Sequence, residues 1–176
     1  YIVFVDSDDY LVGNAYGKIF NINNDEDFDA ICFNYVKVYE GEEPKEIQTN
    51  MKIEYIEASD ILKMFYCNKI SSYAWDKIYK TSLLKDNNIL FPEKKLYEDL
   101  HTTYQILKNC KRVKMINFSP YMYLQRKESI TKSIKIKNLD DFTSEYLKVL
   151  NSIEESTLEC CKQEFNTYRV LKYNAL

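Results

Sequence analysis

Tyr1-Ile2-Val3-Phe4-Val5-Asp6-Ser7-Asp8-Asp9-Tyr10 is the stretch on which the reading of the fold turns. Five apolar or aromatic residues run straight into carboxylates, which predicts a buried, parallel-type β-strand delivering acids to the carboxyl edge of a sheet. That edge is where open α/β sheets bind ligands. Asp6 and Asp8, two positions apart just past the strand end, can offer oxygens to one divalent cation. An all-oxygen set suits Mg²⁺ or Mn²⁺ that also bridges phosphates. An acidic, solvated turn is the competing reading of the same decapeptide.

Outward from this stretch, Leu11, Ala15, Ile19 and Phe20 recur at helical spacing and predict a helix over 11–23, weakened by Gly13 and Gly17. Residues 28–39 become β-like, with apolar positions on both faces. After the turn chemistry of 40–44, residues 45–55 alternate Ile47, Thr49, Met51, Ile53 and Tyr55, which predicts an antiparallel hairpin partner. Ile61, Leu62, Phe65 and Tyr66 form one apolar stripe on a helix that starts at Glu57 or Ser59. Residues 75–79 read as a loop entering a brief strand, and 81–87 as a helix with Thr81 as its cap. A helix over 97–109 holds Glu98 and Asp99 in its first turn, where the macrodipole favours acids. Two short strands (113–116 and 120–124), a loop over 125–137 and two helices within 139–176 complete the reading.

The 176 residues suffice for one domain with a core, and 45% hydrophobic with 29% charged residues argue for a folded chain. A net charge of −3 with interspersed signs carries no nucleic-acid footprint. Lys108, Lys111, Arg112 and Lys114 read as a solvated basic face. No apolar run approaches the roughly 20 residues of a membrane span, so the expected location is the cytoplasm. Cys32, Cys67, Cys110, Cys160 and Cys161 lack CxxC spacing and read as reduced thiols. One histidine, His101, gives a His-based metal centre or a Ser-His-Asp triad little to work with, and it reads as a surface residue.

Four segments together resemble family 2 glycosyltransferases, the inverting nucleotide-sugar enzymes of GT-A fold. They are the Asp6-Ser7-Asp8 turn, Trp75-Asp76-Lys77-Ile78-Tyr79-Lys80 with Leu83-Leu84, Glu98-Asp99-Leu100, and Tyr121-Met122-Tyr123 with Arg126, Ser129 and Thr131. In the same order as in that family, they cover residues 1–131. The resemblance implies an α/β chain: a partial GT-A mixed sheet flanked by helices over 1–137, the acceptor-side part of the domain, then a C-terminal helical tail over 138–176. The nucleotide-binding half would lie upstream, so Tyr1 reads as a truncation or processing boundary.

Sugar transfer from a nucleotide diphosphate needs the leaving group's charge neutralised and an acceptor hydroxyl activated. Asp8 and Asp6 are the expected ligands of Mn²⁺ or Mg²⁺, with Asp6 and Asp9 also facing the donor. The resemblance makes Asp99 the general base, supported by Glu98. Trp75 offers a flat face for stacking on a sugar, and family likeness places it and Lys77 beside the acceptor. Arg126, Ser129 and Thr131 look like the segment that closes over the donor, Arg126 gripping the diphosphate. The implied partners are a nucleotide-diphosphate sugar and a glycan or lipid-linked acceptor at the inner membrane face, in surface polysaccharide or lipopolysaccharide synthesis. An exposed first strand would also let two copies pair.

Two other functions compete. A strand followed by Asp-x-Asp also opens haloacid dehalogenase-like phosphotransferases, but those follow the acids with a small residue and threonine, where this chain has Asp9-Tyr10-Leu11. The other is a non-catalytic truncated module lacking a donor half.

Overall fold

The computed structural model describes residues 1–21, 27–42, 52–126 and 136–152. Their strands form one mixed sheet in which β1 (Ile2–Val3), β5 (Lys77–Tyr79), β3 (Ala30–Tyr39) and β6 (Arg112–Gln125) lie side by side in that order. The far side of β6 is shared: β4 (Ile53–Glu57) pairs with its first half and β2 (Tyr10–Leu11) with its second. β3 and β6 run parallel, and β5 is antiparallel to both β1 and β3. Ala30, Ile31, Cys32 and Phe33 are all buried, as a central strand covered on both faces requires.

The period-2 alternation of β3 divides the interior. Ala30 and Cys32 join the core under α2 (Ala58–Tyr66), α4 (Glu98–Asn109) and α5 (Ile136–Asn151). Ile31 and Phe33 join a second core with Ile78, Phe118, Tyr121 and Ile19 of α1 (Ala15–Asn21). The α2 stripe reads as expected: Ile61, Phe65 and Tyr66 are buried, each contributing about 1.5–3 kcal/mol by burial. Asp29 sets the β3–β6 register, its Oδ2 accepting the N–H groups of Lys111 (2.7 Å) and Arg112 (3.1 Å).

Several expectations are corrected. β1 is a two-residue strand, antiparallel to β5 and half-buried, rather than a buried parallel strand. Val5 is 46% exposed, because the chain leaves the ladder before the acids. The helix over 11–23 starts only at Ala15, since Leu11 pairs with Tyr121 and the Val12 N–H is taken by Pro120 O at 2.9 Å. β4 is no hairpin partner of β3: both edges of β3 are occupied by β5 and β6, so it pairs with β6 instead. The two short strands near 113 and 120 are one strand, β6, with a break in register between Phe33 and Tyr35 of its partner. Thr81 lies inside α3 (Thr81–Asp86), whose N-cap is Lys80 without a side-chain cap bond. Lys114 is buried, its ammonium 5.4 Å from the Phe28 ring centroid and 5.2 Å from that of Tyr55, which removes it from the solvated basic face. The hairpin residues 45–51, the loop 127–135 and the second tail helix lie outside the described residues.

Candidate functional site

The turn after β1 is shaped by a hydroxyl from across the sheet. Tyr121, fully buried on β6, accepts the Asp6 N–H at 3.1 Å and donates its own proton to Asp9 Oδ2 at 2.7 Å. Asp9 Oδ1 accepts the Leu124 N–H at 2.8 Å, and the Asp9 N–H closes the turn on Asp6 O at 3.1 Å. Asp9, expected to face the donor, therefore spends its carboxylate on holding the turn against β6. Burial and then the bond to Asp9 push the Tyr121 phenol well above its ordinary value, so it remains a donor.

Asp6 and Asp8 are presented outward. Partial burial, then the charges of Asp9, Asp8 and Glu98, raise the Asp6 carboxyl above the usual carboxylate range. Asp8 Oδ2 lies 3.8 Å from Arg126 Nε, with both side chains about half exposed. Such a long, solvated pair contributes little. Ser129 and Thr131 lie outside the described residues.

The second acidic group comes from α4. Its N-cap, Tyr97, is left-handed (φ 59, ψ 27), which turns the chain sharply from the 91–97 loop into Glu98 and Asp99. Both acids are half-buried in the first turn, and the Thr102 hydroxyl bonds Glu98 O at 2.7 Å. Asp6, Glu98 and Asp99 line one cavity of about 460 Å³ together with Trp75, Phe91 and Lys94. Four of the expected site residues thus converge from segments far apart in the chain.

Trp75 borders that cavity, yet its ring is committed to the interior. It is 6% exposed and stacks on Tyr121 (4.4 Å, 17°) and Tyr73 (4.7 Å, 14°), with Tyr35 edge-on at 4.8 Å. Its indole face is a wall of the site more than a free platform. Lys77 lies elsewhere: wholly buried, its ammonium donates to Asp76 Oδ1 (2.5 Å), Tyr73 O (2.7 Å) and Ser71 Oγ (3.0 Å), and Ser71 also donates to Asp76. All three of its protons are used. It borders a different, larger cavity of about 930 Å³.

Two supports had no signal in the sequence. Glu145 of α5, with a wholly buried side chain, accepts from Lys148 (2.7 Å) and Lys95 (3.1 Å), while Asp141 Oδ2 accepts the Leu96 N–H at 3.3 Å. These bonds tie the loop before Glu98 to α5. Burial pushes the Glu145 carboxyl up, but hydrogen bonds from the two lysines more than offset it and hold it below its ordinary value. His101, half-buried on Tyr104 and 3.9 Å from Glu145, belongs to this support. Tyr121 stood in a quoted segment, but nothing local marks its hydroxyl as the turn's anchor.

Among the described residues no group of three or more His, Cys, Asp or Glu could hold a metal ion. The Asp6–Asp8 pair still fits a cation that arrives with phosphates, because Mg²⁺ is commonly held by one or two carboxylates plus substrate oxygens and water. Cys32, Cys67 and Cys110 are free thiols, and burial pushes Cys32 up to about 12, which makes it inert. Among the described residues no helix is long and apolar enough to cross a membrane.

No protein-family model matches the chain. It is 22% identical over 174 residues to an uncharacterized glycosyltransferase, EpsJ, of Bacillus subtilis (strain 168), covering 96% of this chain and 51% of that protein. It is 26% identical over 163 residues to a poly(ribitol-phosphate) beta-glucosyltransferase of Bacillus spizizenii, covering 90% of this chain and 24% of that one. It is 27% identical over 143 residues to the poly(ribitol-phosphate) beta-N-acetylglucosaminyltransferase TarS of Staphylococcus aureus, covering 81% and 24%. The chain thus spans about half the length of EpsJ and about a quarter of the other two. The crystal structure of S. aureus TarS 1–349 in complex with UDP-GlcNAc superposes with a TM-score of 0.66 at 22% identity, over 93% of this chain and 47% of that one. The UDP complex of the same protein gives 0.60. The mixed, helix-flanked α/β architecture expected from the sequence is the one these structures share.

Proposed function

We propose that this chain is the acceptor-side part of a family 2, GT-A glycosyltransferase, which moves a sugar from a nucleotide diphosphate to a hydroxyl of a glycan or lipid-linked acceptor, with inversion. The observation that carries the reading is the convergence of Asp6, Glu98 and Asp99 on one cavity beside the outward-facing Asp8. Similarity to EpsJ and the two poly(ribitol-phosphate) transferases supports both the chemistry and a role in surface-polymer synthesis.

In this reading Asp99 accepts the proton of the acceptor hydroxyl as that oxygen attacks the anomeric carbon, a role worth about 10²–10⁴ in rate. The attack comes from the side opposite the leaving diphosphate, so the configuration inverts. Glu98 shapes the acceptor end of the pocket, and the Trp75 edge limits how far a sugar ring can enter. A divalent cation held by Asp8 and Asp6 would offset the charge that grows on the diphosphate. Arg126, already beside Asp8, adds a second positive contact there. Asp9 and Tyr121 keep the turn in place. The work site would be the cytoplasmic face of the membrane, where nucleotide sugars and lipid-linked acceptors meet.

The test uses protein from the complete reading frame, with UDP-sugars as donors and glycan or ribitol-phosphate polymer as acceptor. Asp8→Asn and Asp99→Asn should each cut turnover by roughly 10²–10⁴ while circular dichroism stays unchanged. Chelation should abolish turnover and Mn²⁺ restore it. Wild-type turnover in either variant would remove that residue from its role, and turnover in excess chelator would remove the metal.

A further inference from the structure

The larger cavity, about 930 Å³, is not used by the reaction just described. Its size is at the upper end of ordinary ligand pockets. It opens where the central ladder is interrupted. Phe33 pairs with Ile116, but the next paired residue of β3, Tyr35, lies opposite Tyr121. Asn34 is left without a ladder partner and exposed, facing the excursion of β6 that carries Asn117 and Ser119. Breaks of this kind re-aim side chains and gather beside binding sites. Asn34, Asn117 and Ser119, with Asn68 and Ser71 from the segment after α2, line the cavity with amide and hydroxyl groups.

Charge does not dominate this lining. Lys77 has its protons taken by Asp76, Ser71 and Tyr73, and the exposed charges of the lining are of both signs, Lys52 and Lys69 with Glu54. A set of carboxamides and hydroxyls, each both donor and acceptor, suits a ligand bearing many hydroxyls. Tyr35 and Tyr73, both half-buried on the cavity wall, add the apolar faces that a polyol or sugar also requires. Tyr73 stacks on Trp75, which borders the smaller cavity, so the two linings touch through one aromatic pair.

We propose that the larger cavity is a second subsite that binds further hydroxyl-bearing units of a polymeric acceptor, next to the unit that reacts at Asp99. This rests on the glycosyltransferase reading for the identity of the chain as an acceptor, but not for its binding. Trp75, the only tryptophan, sits against Tyr73 and reports occupancy through its fluorescence.

The experiment titrates the protein with ribitol phosphate and its six-unit chain, and with glucose and cellohexaose. At least one six-unit chain should bind at least ten-fold more tightly than its single unit. Asn34→Ala with Asn117→Ala should erase that advantage, and Asn34→Ser alone, at an exposed position, should reduce it. Equal affinity for one and six units, no binding of either chain, or an undiminished advantage in both variants would overturn the subsite. A parallel transfer assay keeps the readings apart. Length-dependent binding without any sugar transfer would sink the enzyme assignment alone, and transfer without length dependence would sink the subsite alone.

Discussion

Two places where this sheet carries carboxylates are handled in opposite ways. At the start of β5, Asp76 is buried, and a lysine, a serine and a backbone carbonyl close a complete network around it and Lys77. In the turn after β1, three carboxylates lie together, one is held by Tyr121 and Leu124, and Asp6 is raised by partial burial and then by its neighbours' charges. Carboxylates answered by the protein's own cation are scaffold. Those of the turn have no buried cation of their own among the described residues, and Asp6 borders a cavity instead. Asp-x-Asp and Trp-Asp-Lys look equally functional as strings of letters, and only the partners separate them.

The sharpest way to break this contrast is to remove the scaffold's cation. Lys77→Met leaves Asp76 buried without its counter-charge and should cost about 3–5 kcal/mol, read as a large loss of denaturant midpoint. A cost under 1 kcal/mol would mean that Asp76 is not held as described. Next is the anchor of the acidic turn. Tyr121→Phe removes both hydroxyl bonds while keeping the ring stack, and should cost about 1–2 kcal/mol and raise KM for the nucleotide sugar more than it lowers kcat. An unchanged KM would show that the turn needs no anchor.

A third measurement sharpens the comparison by pH. Because the Glu145 carboxyl is held below its ordinary 4.5, its contribution is present above that value and lost as pH falls through the lowered one. Glu145→Gln should therefore cost about 1 kcal/mol near pH 7, its lysines being partly exposed, and the gap to wild type should close as pH falls through the lowered value. A gap that persists in acid would assign the cost to packing. The smallest effect belongs to the open acids: Asp8→Asn should change stability by no more than about 0.5 kcal/mol, a Tm shift of ~1–2 °C. A large loss would make Asp8 structural and collapse the distinction.

What could be read in advance follows the range of the interaction. α2 and α4 were legible because their apolar spacing and first-turn acids are local, and β3 because its first four residues, buried on both faces, are all apolar. That Asp6, Trp75, Glu98 and Asp99 line one cavity is invisible to local spacing, since they come from three segments far apart in the chain. The partner of β4 was misjudged because pairing depends on which edges other strands already hold. Leu11 read as helical because its capture by Tyr121 lies 110 residues away in sequence. Lys77 read as a ligand-facing lysine because nothing in a string of letters shows that Ser71 and the Tyr73 carbonyl fold back onto it.

The same distances set how the molecule comes together. The bond from the Asp6 N–H to Tyr121 closes 115 residues, and Asp29 meets Lys111 across 82. Loop closure of that length must be met before the central ladder returns any free energy, and parallel pairing of remote strands folds slowly. During synthesis the apolar β1 and β3 emerge long before β6, so they wait as uncovered strand segments that can join other chains. The acidic turn is then among the last parts to take shape, and folding yield, more than final stability, is where substitutions in β6 should first be felt.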